Sequence, residues 1–388
     1  MTDTPVTNSV QVRVADATES LTRTTSSSQT SPSLVRWRSE VLPVLYPDPT
    51  HTSRGATRWA RGLYGLLLGL LLLAGGLLPY VVPEWTHPAE PEPTPAQLTS
   101  KASGEATWPA GTRFRDCRND GLCPWMRVLP AGEFMMGSPE DEKGHRGNES
   151  PQRKVSIARK VAVMESEVTR EQFSIFANEI KYQASSNCNW RTPGFLQTDQ
   201  HPVVCISWSD AVSYARWLSS KTKKNYRLLS EMEWEFSARA GNNARWSFGE
   251  SDGDICTHAN IRDSGNWSTN ESGDPKQAAL DSLAAPATCN DQAKFTAAAR
   301  SYKPNNWGLY DLHGNVWEWV NDCWRDNNTG PPSAENSQEL ACLDRSRTLR
   351  GGSWSFSADF SRSAARIRYV EGNRDNSTGF RLARDIDQ

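Results

Sequence analysis

The sequence predicts an α+β fold, rich in loops and held by crosslinks, that follows a single transmembrane helix. Three observations predict it in this chain of 388 residues. All eight cysteines and thirteen of the sixteen tryptophans lie from Trp108 onward, which places the packed, crosslinked part of the molecule there. The run Gly62–Val82 carries no charged residue over 21 positions, enough for a helix to cross about 30 Å of hydrocarbon. Between Gly- and Asn-rich stretches stand a few short segments whose apolar residues recur at helical spacing. Charge narrows the function as well, because a net charge of −2 disfavours a strongly basic nucleic-acid binder.

Residues 1–61 are rich in Ser, Thr and Pro, with one short apolar patch at Val41–Tyr46. They cannot bury enough surface to offset chain entropy and are expected to form a disordered cytoplasmic tail. Residues 62–82 are expected to be an uncleaved anchor. A cleaved signal peptide fits less well, since 61 residues precede the run and no small-x-small cleavage pattern follows it. Arg54, Arg58 and Arg61 precede the span while Glu84, Glu90 and Glu92 follow it, which orients the N-terminus inward. The expected location is a single pass through a bacterial inner membrane with the C-terminal domain in the periplasm. Residues 83–107, with frequent prolines, read as a semi-rigid stalk. In that compartment eight cysteines suggest up to four disulfides rather than metal thiolates. Proximity in sequence suggests Cys117–Cys123, Cys256–Cys289 and Cys323–Cys342.

Residues 108–388 form one domain without a periodic internal repeat. Three helices are expected in it. One begins after Thr169 as N-cap and places Phe173 and Phe176 inward. A second is capped by Ser209, with Val212, Ala215, Trp217 and Leu218 on its inner face. The third, Ser230–Ala240, opens on a Ser230/Glu233 capping box. The six histidines, His51, His87, His145, His201, His258 and His313, are scattered rather than set at metal-ligand spacing. No Ser-His-Asp triad, phosphate loop or zinc cluster is legible, and Asp311, Glu318 and Glu235 are acids without known mutual geometry.

Seven blocks follow one another in a telling order: Pro130-Ala-Gly-Glu-Phe-Met-Met-Gly137; Glu167-Val-Thr169; His201-Pro-Val-Val with Ser207-Trp-Ser-Asp-Ala211; Tyr226-Arg-Leu-Leu-Ser-Glu-Met-Glu-Trp-Glu235; Gly308-Leu-Tyr-Asp-Leu-His-Gly-Asn-Val-Trp-Glu-Trp319; Leu349-Arg-Gly-Gly-Ser-Trp354; Gly379-Phe-Arg-Leu382. In this order they resemble the formylglycine-generating enzyme, or sulfatase-modifying factor, family over about residues 125–385. The resemblance implies a loop-rich variant of the C-type-lectin-like fold. It also implies where chemistry would sit: in members that oxidise a sulfatase cysteine, a copper-binding cysteine pair stands two and seven residues after the tryptophan of the Gly-Gly-Ser-Trp block. Here those positions are Phe356 and Ser361, and neither side chain can replace a thiolate as copper ligand or redox group. The His-x-x-x-His-x-Glu cluster of the family's iron-dependent branch is also missing from the sequence.

The resemblance further implies structural Ca2+. One site would use Asn260, Asp291 and the carbonyls of Ile261 and Ala293, the other Asp311, Glu318 and the carbonyls of Gly314 and Val316, oxygen donors that suit a hard cation. Arg350–Trp354 and Gly379–Arg381 are expected to frame the fold, with Trp354 in the core and Arg381 paired with a buried carboxylate. Between them, Ser355–Thr378 is expected to surface at the ligand-binding face. The candidate contacts are Ser355, Phe356, Ser357, Asp359, Phe360, Arg362, Arg368, Tyr369, Asn373 and Asp375, a mixture of apolar anchors and charge that binding surfaces favour. Of the 24 residues 355–378 only Glu371 belongs to the set that adenine mutagenesis of Asn-type codons cannot reach, so the segment is compatible with a diversity-generating-retroelement variable region. Two functions follow as expectations. The first is a membrane-anchored, non-catalytic binding module for a protein or other extracytoplasmic ligand, with no nucleic-acid partner. The alternative is a periplasmic oxidoreductase or maturation enzyme of this family with a non-standard site.

Overall fold

The computed structural model describes residues 99–100, 106–117, 121–265, 285–329, 342 and 344–386. The expected tail, membrane span and most of the stalk lie outside these residues. Among the described residues no helix is long and apolar enough to cross a membrane. All described elements belong to one unit, His87–Gln388.

A short ladder pairs β1 (Thr99–Ser100) with β2 (Ala106–Thr107) inside the stretch expected to be stalk. A five-stranded sheet follows, made of β3 (Arg113–Phe114), β4 (Met126–Val128), β7 (Val161–Met164), β13 (Leu382–Asp385) and β8 (Tyr226–Leu228) in that spatial order. Central β7 is buried at all four positions, which is why its sequence, Val-Ala-Val-Met, is continuously apolar rather than alternating. β5 (Gly132–Met136) and β6 (Arg153–Ile157) form a separate hairpin ladder. The remaining sheet orders β11 (Arg366–Val370), β10 (Ser346–Arg350), β9 (Trp317–Cys323) and β12 (Thr378–Gly379), with β12 parallel to β9.

Strand β9 divides the interior by its period of two. Trp317 and Trp319 point into the large aromatic core, while Val320 belongs to the neighbouring core of Leu229, Trp234 and Leu309. Glu318, on the face opposite the tryptophans, accepts from the Trp234 indole. The large core also takes the inner faces of α1 (Arg170–Glu179) and α2 (Trp208–Thr222), where Phe173, Phe176, Tyr214 and Trp217 meet at centroid distances of 5.2 to 6.0 Å. Helix α3 (Glu231–Arg239) is buried along its whole length, and α4 (Ile255–His258) is a single turn.

Thr169 caps α1 and Ser230 caps α3 with the expected capping boxes, completed by Gln172 and Glu233. The cap of α2 is Ser207, not Ser209. Ser207 Oγ accepts from the Asp210 amide, and the Asp210 carboxylate accepts from the Ser207 amide, a reciprocal closure available only at a spacing of three. All eight cysteines are paired, as Cys117–Cys123, Cys188–Cys205, Cys256–Cys289 and Cys323–Cys342, so the three pairings suggested by spacing are present.

Candidate functional site

After β10 the chain turns through Gly351 and Gly352, at φ of 100° and 75°. A Cβ on Gly352 would lie 2.3 Å from Ser361 Oγ, so only glycine lets this turn close on the returning segment. The return lays Phe356 and Phe360 against each other at 5.1 Å and against Trp317 at 5.5 and 6.4 Å. Ser361 is buried, and its Oγ has no hydrogen-bond partner among the described residues. Its carbonyl accepts from His313 Nδ1, while His313 Nε2 accepts from the Ser247 amide. Burial lowers the His313 imidazole to about 4, so it stands neutral here.

The loop before β6 closes over this turn. A Cβ on Gly137, at φ 88°, would lie 2.3 Å from the Glu149 carbonyl, so the loop folds back on itself there. Glu149 then meets Arg362, which is 0% exposed: Nη2 lies 2.6 Å from Oε1 and Nη1 2.9 Å from Oε2. Glu142 pairs with the same guanidinium at 2.5 Å. Burial would raise the Glu149 carboxyl, but the Arg362 hydrogen bonds and charge hold it below its ordinary range. Ser138 donates to Glu149 at 2.5 Å and lies 2.7 Å from His145 Nδ1. Two further arginines are anchored on α3: Arg366 forks onto Glu231 at 2.7 and 2.8 Å, and Arg350 pairs with Glu235. Glu235 also holds Arg239 and accepts from the Gly137 amide, so it is a structural carboxylate.

The ten expected contact residues therefore divide. Arg362 and Ser357 belong to the interior, and Arg362 is corrected from ligand contact to buried ion-pair member. Phe356 and Phe360 are half-buried and pack against the large core. Ser355 lies 3.2 Å from Ser353 by their hydroxyls, and Asp359 accepts from Arg245 at 3.0 Å. Tyr369 packs on Trp319 at 5.6 Å and donates to Asp375, whose other oxygen receives the Ser377 amide. Arg368 and Asn373 face solvent, Arg368 pairing with Asp344 at 2.7 Å. The surface part of the segment is thus the outer edge of β11 and the turn after it.

The two expected cation sites fare differently. At the second, Glu318 carries the Arg381 fork at 2.7 to 2.9 Å on both oxygens, plus the Trp234 indole at 2.9 Å. Asp311 accepts from the Arg300 amide and lies beside buried Glu167, whose carboxyl is raised well above its ordinary value by burial and by Asp311. The Glu318 charge is already matched by Arg381, while Asp311 Oδ1 has no hydrogen-bond partner among the described residues, so a cation here would draw on Asp311 and the carbonyls of Gly314 and Val316 rather than on Glu318. At the first site Asn260 is buried, with Oδ1 unpartnered among the described residues. Burial, with Asp263 alongside, raises Asp291 to about 7. The Asp291 carboxylate accepts from the Ile261 and Ala293 amides, and the orphaned Asn260 oxygen, this carboxylate and the Ile261 and Ala293 carbonyls make an all-oxygen donor set of the kind that suits a hard cation. Among the described residues no three His, Cys, Asp or Glu side chains converge on a metal position.

Residues 112–386 match a family profile described as the sulfatase-modifying factor enzyme 1-like domain. The chain belongs to that family. PvdO from Pseudomonas aeruginosa superimposes on 72% of this chain and 100% of its own, with a TM-score of 0.61 and 34% identity. The formylglycine-generating enzyme of Streptomyces coelicolor is 28% identical over 302 residues, 67% of this chain and 88% of that one. The inactive Cα-formylglycine-generating enzyme 2 of Mus musculus is 28% identical over 305 residues, 67% of this chain and 85% of its own. Within this sulfatase-modifying factor domain, the Glu142–Glu149–Arg362 cluster was not legible in sequence, because its members stand 213 and 220 positions apart. The one signal was an arginine inside an otherwise small-residue run, Ser361–Ala365.

Proposed function

We propose that this protein is a non-catalytic member of the sulfatase-modifying factor family that binds a protein or other extracytoplasmic ligand through the exposed edge of its C-terminal segment. One observation carries the reading: the positions of the redox cysteine pair hold Phe356, packed on Trp317, and buried Ser361, while every cysteine of the chain is in a disulfide elsewhere. Thiol-based oxidation of a substrate cysteine needs a thiolate to hold copper and carry the electrons, and no such group stands at this turn. The similarity to a relative named as inactive supports the same reading.

Anchoring through residues 62–82, with the domain in the periplasm, completes the proposal and rests on the apolar run and its flanking charges. Diversification of the segment, if it occurs, is confined by packing. Arg362 and Arg366 hold buried carboxylates, so variation would fall on Arg368, Val370, Gly372 and Asn373, which face solvent. A nearby near-identical repeat with adenine-only differences is the genomic signature to look for. The catalytic question is tested by incubating the purified full chain with copper(I), oxygen and a peptide bearing a sulfatase cysteine motif. No aldehyde is expected by mass spectrometry. Aldehyde formation, with stoichiometric copper retained on the protein, overturns the proposal in favour of the oxidoreductase.

A further inference from the structure

We infer that the cleft between Trp125 and the start of α1 binds a small zwitterion, a free α-amino acid, with its ammonium group at Glu171 and its carboxylate at Arg300. Both residues line this cleft, whose volume is about 140 Å³. A cavity of about 150 Å³ holds a molecule of benzene size, so an amino acid as small as alanine or serine fits.

The charges around the cleft are of two kinds. Those of the wall are engaged within the protein. Glu165 is 2% exposed, and its Oε1 accepts from Arg113 Nε and Arg127 Nη2, both at 2.8 Å. Arg115 lies over the Trp125 ring at 4.8 Å and has further contacts of its own. Arg300 and Glu171 differ from these. Arg300 Nη1 stands 3.7 Å from the second Glu165 oxygen, beyond hydrogen-bond range, and its guanidinium donates to no atom among the described residues. Glu171 Oε2 accepts from the Gln200 side-chain amide at 3.2 Å, while Oε1 has no partner among the described residues. That oxygen stands beside Gly121, where a Cβ would come within 3.3 Å of it. Among the described residues the two charges form no ion pair with each other, although they share one small cleft.

Two opposite, unmatched charges select a ligand that carries both. An anion at Arg300 meets repulsion from Glu171, and a cation at Glu171 meets it from Arg300; a zwitterion satisfies each with its opposite. The planar guanidinium fork matches a carboxylate, and the Gln200 amide oxygen is a second acceptor beside Glu171 for the three donors of an ammonium group. The frame is set before any ligand arrives. Gln200 joins the two sides, since its side chain holds Glu171 and its carbonyl accepts from the Ala299 amide at 2.9 Å. Arg300 holds a left-handed φ of 66°, with its amide tied to Asp311 at 2.7 Å. The Thr169/Gln172 capping box fixes the first turn of α1, which carries Glu171. The first amides of that helix already donate to the carbonyls of His201 and Asp199 and to Thr169 Oγ1, so recognition falls to side chains. The site is separate from the β11 edge and stands or falls independently of the recognition proposal.

Calorimetry on the full chain tests it with L-alanine and L-serine and with the N-acetyl and amide derivative of each, which lack one of the two charges. At least one free amino acid is expected to bind saturably, and its two derivatives more weakly by roughly tenfold or more. Glu171→Gln and Arg300→Gln should each bring a loss of the same order with the melting temperature preserved, because both side chains are partly exposed, and Arg300→Lys should retain most of the affinity. Absence of saturable binding of both free amino acids at millimolar concentrations overturns the proposal. So does a derivative that binds as tightly as its parent, which would mark a single-ion site. Affinity unchanged in both glutamine variants places any binding elsewhere and overturns it as well.

Discussion

His313 is a buried base held neutral by its surroundings: Nδ1 donates to the Ser361 carbonyl and Nε2 accepts from the Ser247 amide. Its folded value of about 4 lies below the ordinary 6.5, so between those two pH values the unfolded chain binds the extra proton. The stability it contributes is therefore complete above about pH 6.5 and declines as pH falls toward 4. Relative to a His313→Gln variant, the stability advantage of the native chain is expected to shrink by about 3 kcal/mol between pH 7 and pH 4. A pH-independent difference in denaturant titrations would contradict this. Arg362 makes the same point about burial for a charge. A guanidinium in a run of small residues reads as a surface anchor, yet here two carboxylates from a distant loop meet it in the interior. Breaking such a pair by removing one partner typically costs about 3–5 kcal/mol.

Among the elements, β11 presents the exposed edge of the four-stranded sheet. It pairs with β10 from Ser346↔Val370 to Arg350↔Arg366, and its other edge carries no strand among the described residues. Arg366, Arg368 and Val370 share one face of the strand; Arg366, at its start, is buried against Glu231, while Arg368 and Val370, further along, are exposed. If this edge is the recognition surface, a photo-crosslinking residue placed at Arg368 or Asn373 should yield adducts in living cells, whereas one at exposed Glu133, on the separate hairpin, should not. Equal labelling at all three positions, or none at the first two, removes the edge as the binding face. Replacing Phe356 and Phe360 is a poor test, because both rings are packed against Trp317 and their loss would disturb the fold itself. The start of α2 shows how an element boundary hides in sequence. Ser207 and Ser209 are both good caps, and the choice between them follows from Asp210 standing three residues after Ser207.

For the molecule as a whole, stability is shared among four disulfides, a large aromatic core and, on the present proposal, one cation at Asn260 and Asp291. Removing Ca2+ with EGTA is expected to lower the melting temperature by about 3–6 °C, and calcium should restore it. An Asn260→Ala chain should show neither response; a native chain indifferent to chelation excludes the cation. Much of this architecture was readable from local signals. Ordered blocks identified the family, caps at Thr169 and Ser230 marked two helices, spacing suggested three disulfides, and Phe356 with Ser361 marked the loss of the cysteine pair. These features are written in short stretches of chain, where residue type and spacing carry the physics. The tertiary structure alone decided which charges are surface and which are interior: Arg362 went to Glu149, Glu318 to Arg381, and three arginines, Arg113, Arg127 and Arg300, gathered around Glu165. Those pairings depend on distances between segments tens to hundreds of residues apart, and a linear pattern holds no measure of such distances until the chain has folded.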